Sequence, residues 1–109
     1  MPDYTGGEIV LIAFPFADTS EARRRPALVL IDTGDEDIVV ARVTSQPLRT
    51  SFDVRIMEWQ EAGLLLRSVV RLDKLATLDK RLVDRTLGTL VPNDWERVKA
   101  ALQRLWDSL

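Results

Sequence analysis

The apolar residues in the first half of the chain come in short runs that are rich in β-branched and aromatic side chains, with polar turns between them. Runs of this length predict strands, and their close spacing favours antiparallel hairpins over parallel strands joined by helices. Ser68–Leu78 predicts a fifth strand, whereas 79–90 is ambiguous between a helical turn and a short strand. The four earlier runs are EIVLIAFPF at 8–16, PALVLI at 26–31, IVVARV at 38–43 and FDVRI at 52–56.

The last part of the chain has a helical period instead. Its apolar residues recur at spacings of three and four, which predicts one apolar stripe along a helix. Asn93 followed by Glu96 predicts an N-cap in a capping-box-like arrangement. Short strands followed by one helix predict a mainly β fold, a small antiparallel barrel with a C-terminal amphipathic helix. The stripe consists of Trp95, Val98, Leu102, Leu105, Trp106 and Leu109.

The composition excludes several classes of chemistry. The chain has 109 residues, which suits one domain spanning 1–109, and it has no cysteine and no histidine. Disulfides, thiol metal sites, a Ser-His-Asp triad and a cysteine nucleophile are therefore excluded, and we expect no metal and no cofactor. The N-terminal residues do not resemble a signal peptide, and no apolar run approaches the roughly 20 residues that span a bilayer. We expect a cytoplasmic protein.

Positive charge is concentrated at one place in a chain whose net charge is -2. Three arginines, Arg23–Arg25, stand at the end of a predicted polar loop, 17–25, directly before Pro26. The proline favours an extended backbone at Arg25, so that its guanidinium stands at the mouth of a strand and can bind phosphate through a planar fork of donors. The alternative is an ordinary solvated loop, because surface charge runs are common.

A second candidate site lies where the third predicted strand ends. Thr44, Ser45 and Gln46 have short donors and acceptors that suit a phosphate or a base edge. Taken alone, they are better explained as an ordinary strand cap. The arginines precede a predicted strand and Thr44–Gln46 follow one. Positions at the ends of strands are those at which a sheet can hold side chains rigidly.

Together with three further segments, these candidates resemble the MazF/PemK family of toxins from type II toxin–antitoxin systems. The start Gly7-Glu8-Ile9-Val10, the strand RRPALVLI and the strand end ARVTSQ match the family in order and spacing. The segment GLLLRSVVRLDKLATLDKRL and the terminal helix complete the match over nearly all of the chain. The segment AFPFADTS resembles the PemK-like branch.

The resemblance implies an SH3-like barrel of the CcdB/PemK-like kind, usually a homodimer, with a cognate antitoxin as its partner. It implies metal-independent, sequence-specific cleavage of single-stranded RNA, in which the 2′-hydroxyl attacks the adjacent phosphate. The products would carry 2′,3′-cyclic phosphate and 5′-hydroxyl ends. Two alternatives stay open: a toxin of the same fold that binds DNA gyrase, and a non-catalytic barrel that only binds RNA or a peptide.

The family's catalytic pair corresponds here to Arg25 and Thr44. Phe16 is a candidate for stacking on a base or for the core, and Lys74 for the RNA or for a solvated strand face. We expect Trp59, Trp95 and Trp106 in the core or an interface. The full set of candidate substrate-binding residues is Phe16, Glu21, Arg23, Arg24, Ser45, Gln46, Arg49 and Lys74.

Overall fold

Within residues 2–14 and 23–109, which a computed structural model describes, six strands form one antiparallel sheet. Side chains are described for these residues except Phe14 and Arg23. The order across the sheet is β4-β5-β3-β2-β1-β6. The elements are β1 Glu8–Phe14, β2 Arg23–Ile31, β3 Asp37–Thr44, β4 Asp53–Ile56, β5 Ser68–Asp79, a 3₁₀ turn at Lys80–Leu82, β6 Val83–Thr89 and α1 Pro92–Asp107.

The prediction of short antiparallel strands is confirmed, and the ambiguous segment forms the 3₁₀ turn and β6. The assignment of the three arginines to a loop is wrong, because β2 begins at Arg23. Arg24 pairs with Ala13 and Arg25 with Ile12, so the end of β1 supplies the backbone partners that extend β2. Pro26 has no N–H to donate, and pairing of β2 with β3 begins only after it, at Ala27.

Both faces of the sheet are covered, which explains why several strands read as nearly continuous apolar runs. A smaller core on one face includes Ile12, Val29 and Val40, closed by partly buried residues such as Tyr4 and Leu78. A larger core on the other face includes strand residues and the helix residues Val98 and Ala101. Trp59 and Trp95 pack against this larger core, as expected.

The terminal helix begins one residue earlier than Asn93, so the predicted N-cap is wrong. Val91 precedes the first turn without a side-chain cap, and Pro92 takes the first helical position, where its missing N–H leaves no donor unpaired. Only the first part of the apolar stripe is buried. Trp106, near the end of the helix, is 70% exposed, and Leu109, just after it, is 90% exposed.

The two outer parts of the sheet meet through the connection between β4 and β5. A Cβ added to Gly63 would lie 2.1 Å from the carbonyl oxygen of Leu87 in β6. A Cβ added to Gly88 would lie 2.4 Å from the carbonyl oxygen of Ala62. Backbones this close admit no side chain, so the pair of glycines allows the sheet to curl. A mainly β fold with one C-terminal helix is confirmed.

No helix in the described ranges has the length and apolar character needed to cross a membrane.

Candidate functional site

A cleft of about 530 Å³ opens where β2 begins and β3 ends. Its polar lining combines arginines with short hydroxyl and amide side chains, and its apolar lining comes from β1, β2, β3, β6 and the connection before β5. The polar lining residues are Arg24, Arg25, Arg42, Thr44, Ser45, Gln46, Ser68 and Arg85. The apolar ones are Leu11, Pro26, Val43, Leu64, Leu65, Leu66 and Leu87, with Gly63 beside them.

The strand register relates Arg25 to Thr44. Ala27 of β2 pairs with Arg42 of β3. Arg25 lies two residues before Ala27 and Thr44 lies two residues after Arg42, so both stand at the same end of this strand pair. Both residues line the cleft, so the structure brings these two candidates together. The extended backbone predicted for Arg25 is confirmed.

The cleft is strongly basic although the chain is acidic. Its four arginines come from three different strands, and within the described residues no carboxylate lines it. Arg24 lies 3.7 Å from Asp84, and both side chains are partly exposed. Among the described residues, none of the ion pairs involves Arg25, Arg42 or Arg85.

Sequence reasoning missed two of these arginines. Arg42 stands two residues before Thr44 on β3, and strand alternation places both on the same face. This alternation in the sequence could have predicted that Arg42 lies beside Thr44. Arg85 lay in the segment whose structure was ambiguous. It reaches the cleft because Leu11 pairs with Pro26 on one side and with Arg85 on the other, a row that only the sheet order creates.

Thr44 stands at the turn out of β3. Its Oγ1 accepts a hydrogen bond from the backbone N–H of Gln46 at 3.2 Å. The hydroxyl hydrogen is left to donate to another group, such as a phosphate oxygen. Ser45 and Gln46 are exposed beside it.

Two candidate residues are not brought to the cleft. The Arg49 guanidinium lies 2.8 Å from the Asp73 carboxylate, and Lys74 is exposed on β5; neither residue lines the cleft. Phe16 and Glu21 lie outside the described residues. The backbone of Arg23 lies in β2, and its side chain is outside the description.

No metal-binding cluster is present in the described part of the chain, where no three Asp or Glu side chains gather. Arginines, hydroxyls and an amide are the groups that surround the cleft. Such a set suits the recognition of phosphate and of polar base edges.

The curled sheet, the terminal helix and the basic cleft define a small barrel-type protein with a basic cleft at one end of β2 and β3. The chain belongs to the PemK-like, MazF-like family of toxins of type II toxin–antitoxin systems, whose sequence profile matches residues 5–106. The resemblance stated from the sequence is thereby confirmed. No curated protein matches the chain in sequence.

Solved structures agree with this assignment. MazF from Deinococcus radiodurans is 27% identical, with a TM-score of 0.71 over 96% of this chain and 99% of that one. MazE-MazF from the same organism is 25% identical, with a TM-score of 0.74 over 95% and 97% of the two chains. A mycobacterial endoribonuclease in complex with its cognate antitoxin shares the fold at 19% identity, with a TM-score of 0.70 over 91% and 90%.

Proposed function

We propose that this protein is the toxin of a type II toxin–antitoxin system and acts as an endoribonuclease on single-stranded RNA. The observation that carries the proposal is the single cleft that Arg25 and Thr44 both line, together with further arginines. A related mycobacterial protein of the same fold is an endoribonuclease. A nucleic-acid substrate explains why an acidic chain concentrates arginine at one cleft.

The proposed reaction needs no nucleophile from the protein. The 2′-oxygen of the RNA attacks the adjacent phosphorus, loses its proton to solvent and displaces the 5′-oxygen, which takes up a proton. The products carry a 2′,3′-cyclic phosphate and a 5′-hydroxyl. DNA is spared because it lacks the attacking hydroxyl.

Arg25 and Thr44 are the proposed catalytic residues. The Arg25 guanidinium stabilises the negative charge that develops on the phosphorane oxygens, and the charge is available because this side chain has no ion pair within the described residues. Thr44 donates a hydrogen bond to the same phosphate. Both contributions are electrostatic, so we propose that the reaction proceeds without a metal ion.

The other cleft residues would bind the rest of the strand. We propose that Arg24, Arg42 and Arg85 contact neighbouring phosphates and that Ser45 and Gln46 contact base edges. The roles expected for Phe16, Glu21 and Arg23 stay predictions from the sequence. Contact of Arg49 and Lys74 with RNA stays a prediction too, and the Arg49–Asp73 ion pair supports a structural role for Arg49 instead.

We propose a cognate antitoxin as the natural inhibitor, and a homodimer as the working form of a cytoplasmic toxin. A basic cleft is best covered by an acidic or extended segment of the antitoxin, because opposite charges align the two partners. Toxicity of the expressed protein should be relieved by the product of a neighbouring gene. If no neighbouring product relieves it, the proposed partnership is wrong.

The nuclease is tested by incubating the protein with a mixed single-stranded RNA in EDTA and mapping the fragment ends. We expect 5′-hydroxyl ends at a repeated short sequence. Arg25→Ala should lower the rate by roughly 10²–10³-fold, the cost of removing one preorganised donor to a developing oxyanion. Arg55→Ala, which removes an exposed arginine outside the cleft, is the matched control and should cleave normally.

The same experiment separates the alternatives. Intact RNA beside inhibited gyrase supercoiling would identify a gyrase-binding toxin. RNA binding that survives Arg25→Ala, with no cleavage by the parent protein, would identify a non-catalytic barrel.

A further inference from the structure

The loop 45–52, between β3 and β4, begins with residues that line the cleft. The carboxylate of Asp53 binds the backbone of this loop. Oδ2 of Asp53 accepts the backbone N–H of Arg49 at 2.7 Å and that of Thr50 at 3.4 Å. The same oxygen accepts from Nη1 of Arg71 at 2.7 Å. The Asp53 side chain is fully buried, so these contacts are shielded from solvent.

Arg71 joins this carboxylate to the sheet and to the loop. On β5 it pairs with Arg42 of β3 on one side and with Asp53 of β4 on the other. Its Nη2 donates to the carbonyl oxygen of Pro47 at 3.4 Å. The Arg71 side chain is 9% exposed, so its position is set by packing as well as by these bonds.

The pair therefore fixes the loop at three backbone points immediately after the cleft residues. Ser45 and Gln46 are exposed, and within the described residues their side chains form no hydrogen bond. Their direction therefore depends on the backbone of the loop, in which the Gln46 N–H donates to Oγ1 of Thr44.

We propose that Asp53 and Arg71 are positioning residues that set which RNA sequence the cleft accepts. This inference rests on the proposed nuclease function. The buried pair holds loop 45–52 so that Ser45 and Gln46 present their polar groups to a base beside the scissile phosphate. Arg25 and Thr44 lie on strands rather than in the loop, so the pair governs sequence preference more than the chemical step.

A second ion pair on the same loop provides a contrast. Arg49 and Asp73 are 2.8 Å apart, with 47% and 32% of their side chains exposed. Solvent screens such a pair, and it holds a side chain rather than the loop backbone. Asp73→Asn should therefore leave sequence preference unchanged.

The test compares Asp53→Asn with Asp32→Asn. Asp32 is likewise buried, accepts backbone N–H groups and pairs with a cation, Lys80, but it is not among the cleft residues. For each variant, kcat and KM are measured on the parent protein's best RNA site and on its single-base variants. Amide hydrogen exchange is followed at Arg49 and Thr50, which reports the loop without reference to RNA.

We expect Asp53→Asn to accelerate exchange at Arg49 and Thr50. Discrimination between the best site and its variants should fall about tenfold, roughly the contribution of one base-edge contact. The change should appear in KM, with kcat at saturating RNA within about twofold of the parent. Asp32→Asn should lose stability without losing discrimination.

Unchanged discrimination in Asp53→Asn, whether or not the loop amides exchange faster, overturns the inference. Equal loss of discrimination in Asp32→Asn overturns it as well, since the effect would then follow stability alone. If Asp53→Asn does not fold, Arg71→Lys replaces it, because lysine keeps the charge and lacks the fork that reaches both Asp53 and Pro47. A parent protein that cleaves no RNA contradicts the proposed function itself.

Discussion

Three buried aspartates hold loops in place by the same arrangement. Asp32, Asp53 and Asp94 are 9%, 9% and 2% exposed. Each accepts backbone N–H groups from a loop or terminal segment, and each pairs with one cation, which is Lys80, Arg71 or Arg97. These donors offset the cost of burying a carboxylate, so each aspartate fixes the segment that supplies its donors. Oδ1 of Asp53 has no hydrogen-bond partner among the described residues, and all of the contacts of that carboxylate are made by Oδ2.

Asp32 shows how this arrangement responds to pH. Burial alone would raise the pKa of its carboxyl. The N–H groups of Gly34, Asp3 and Tyr4 and the Lys80 ammonium outweigh burial and hold the pKa of Asp32 well below its usual range. A carboxyl with a lowered pKa in the folded state contributes stability above its unfolded pKa, about 3.9, and loses it as the pH falls.

Asp32→Asn should therefore flatten the acid side of the stability profile. The free energy of unfolding, measured by urea denaturation between neutral pH and about pH 3, should fall less steeply in the variant, because the amide has no proton to take up. Asp35→Asn, which changes an exposed carboxylate in the same turn, is the control and should keep the parent slope. Equal slopes in Asp32→Asn and the parent would contradict this account.

At the level of elements, the closure of the sheet depends on a contact between backbones. The connection between β4 and β5 touches β6 at Gly63 and Gly88, so two segments distant in sequence complete the curl. Gly63 also has a φ of 84°, which favours glycine. The same connection carries Leu64, Leu65 and Leu66, which line the cleft, so closure of the sheet and formation of the cleft are linked.

Gly63→Ala should destabilise the fold by about 1–3 kcal/mol, because the added methyl group meets a carbonyl oxygen and the neighbouring backbone must shift. The loss is measured by urea denaturation. Gly7→Ala is the control, since Gly7 has a φ of 100° but a Cβ added there would meet no atom nearer than 3.6 Å. Similar losses in both variants would indicate that the backbone angle, rather than the close approach, determines the cost.

At the scale of the whole molecule, positive charge is concentrated at the cleft although the net charge is negative. Its net charge is -2, yet its cleft is lined by arginines from β2, β3 and β6. Two strand spacings, about 10 Å, separate β6 from β2, so one phosphate does not neutralise all of these arginines. A strand of RNA offers successive phosphates at such distances. Binding to the proposed substrate should therefore depend strongly on salt.

The salt dependence is measured in an Arg25→Ala background, which keeps the RNA intact. Replacing Arg42 or Arg85 by glutamine should reduce the slope of log K against log salt by about 0.7 for each phosphate that the variant no longer neutralises. Arg55→Gln is the control and should leave the slope unchanged. A slope that is unchanged in Arg42→Gln and Arg85→Gln would show that these arginines do not bind phosphate.

The sequence by itself determined that short antiparallel strands are followed by a terminal helix, and it determined the family. The resemblance to that family also supplied the two residues of the proposed catalytic pair. Each of these depends on local information, namely the apolar period, the residue before a proline and motifs read in order. The sequence did not determine how much of the apolar stripe is buried. Burial of Trp106 depends on which elements pack against the helix, and this is not local information.

Only the tertiary structure decided which residues from different strands are neighbours. Arg42 and Arg85 join the cleft through the order of the strands, and Asp53 meets Arg71 through the pairing of β4 with β5. Pairing between distant strands brings together residues that are far apart in sequence, and no periodic pattern in the sequence relates their positions. For that reason, only the folded chain shows all of the arginines of the cleft and the buried pair of Asp53 and Arg71 that holds its loop.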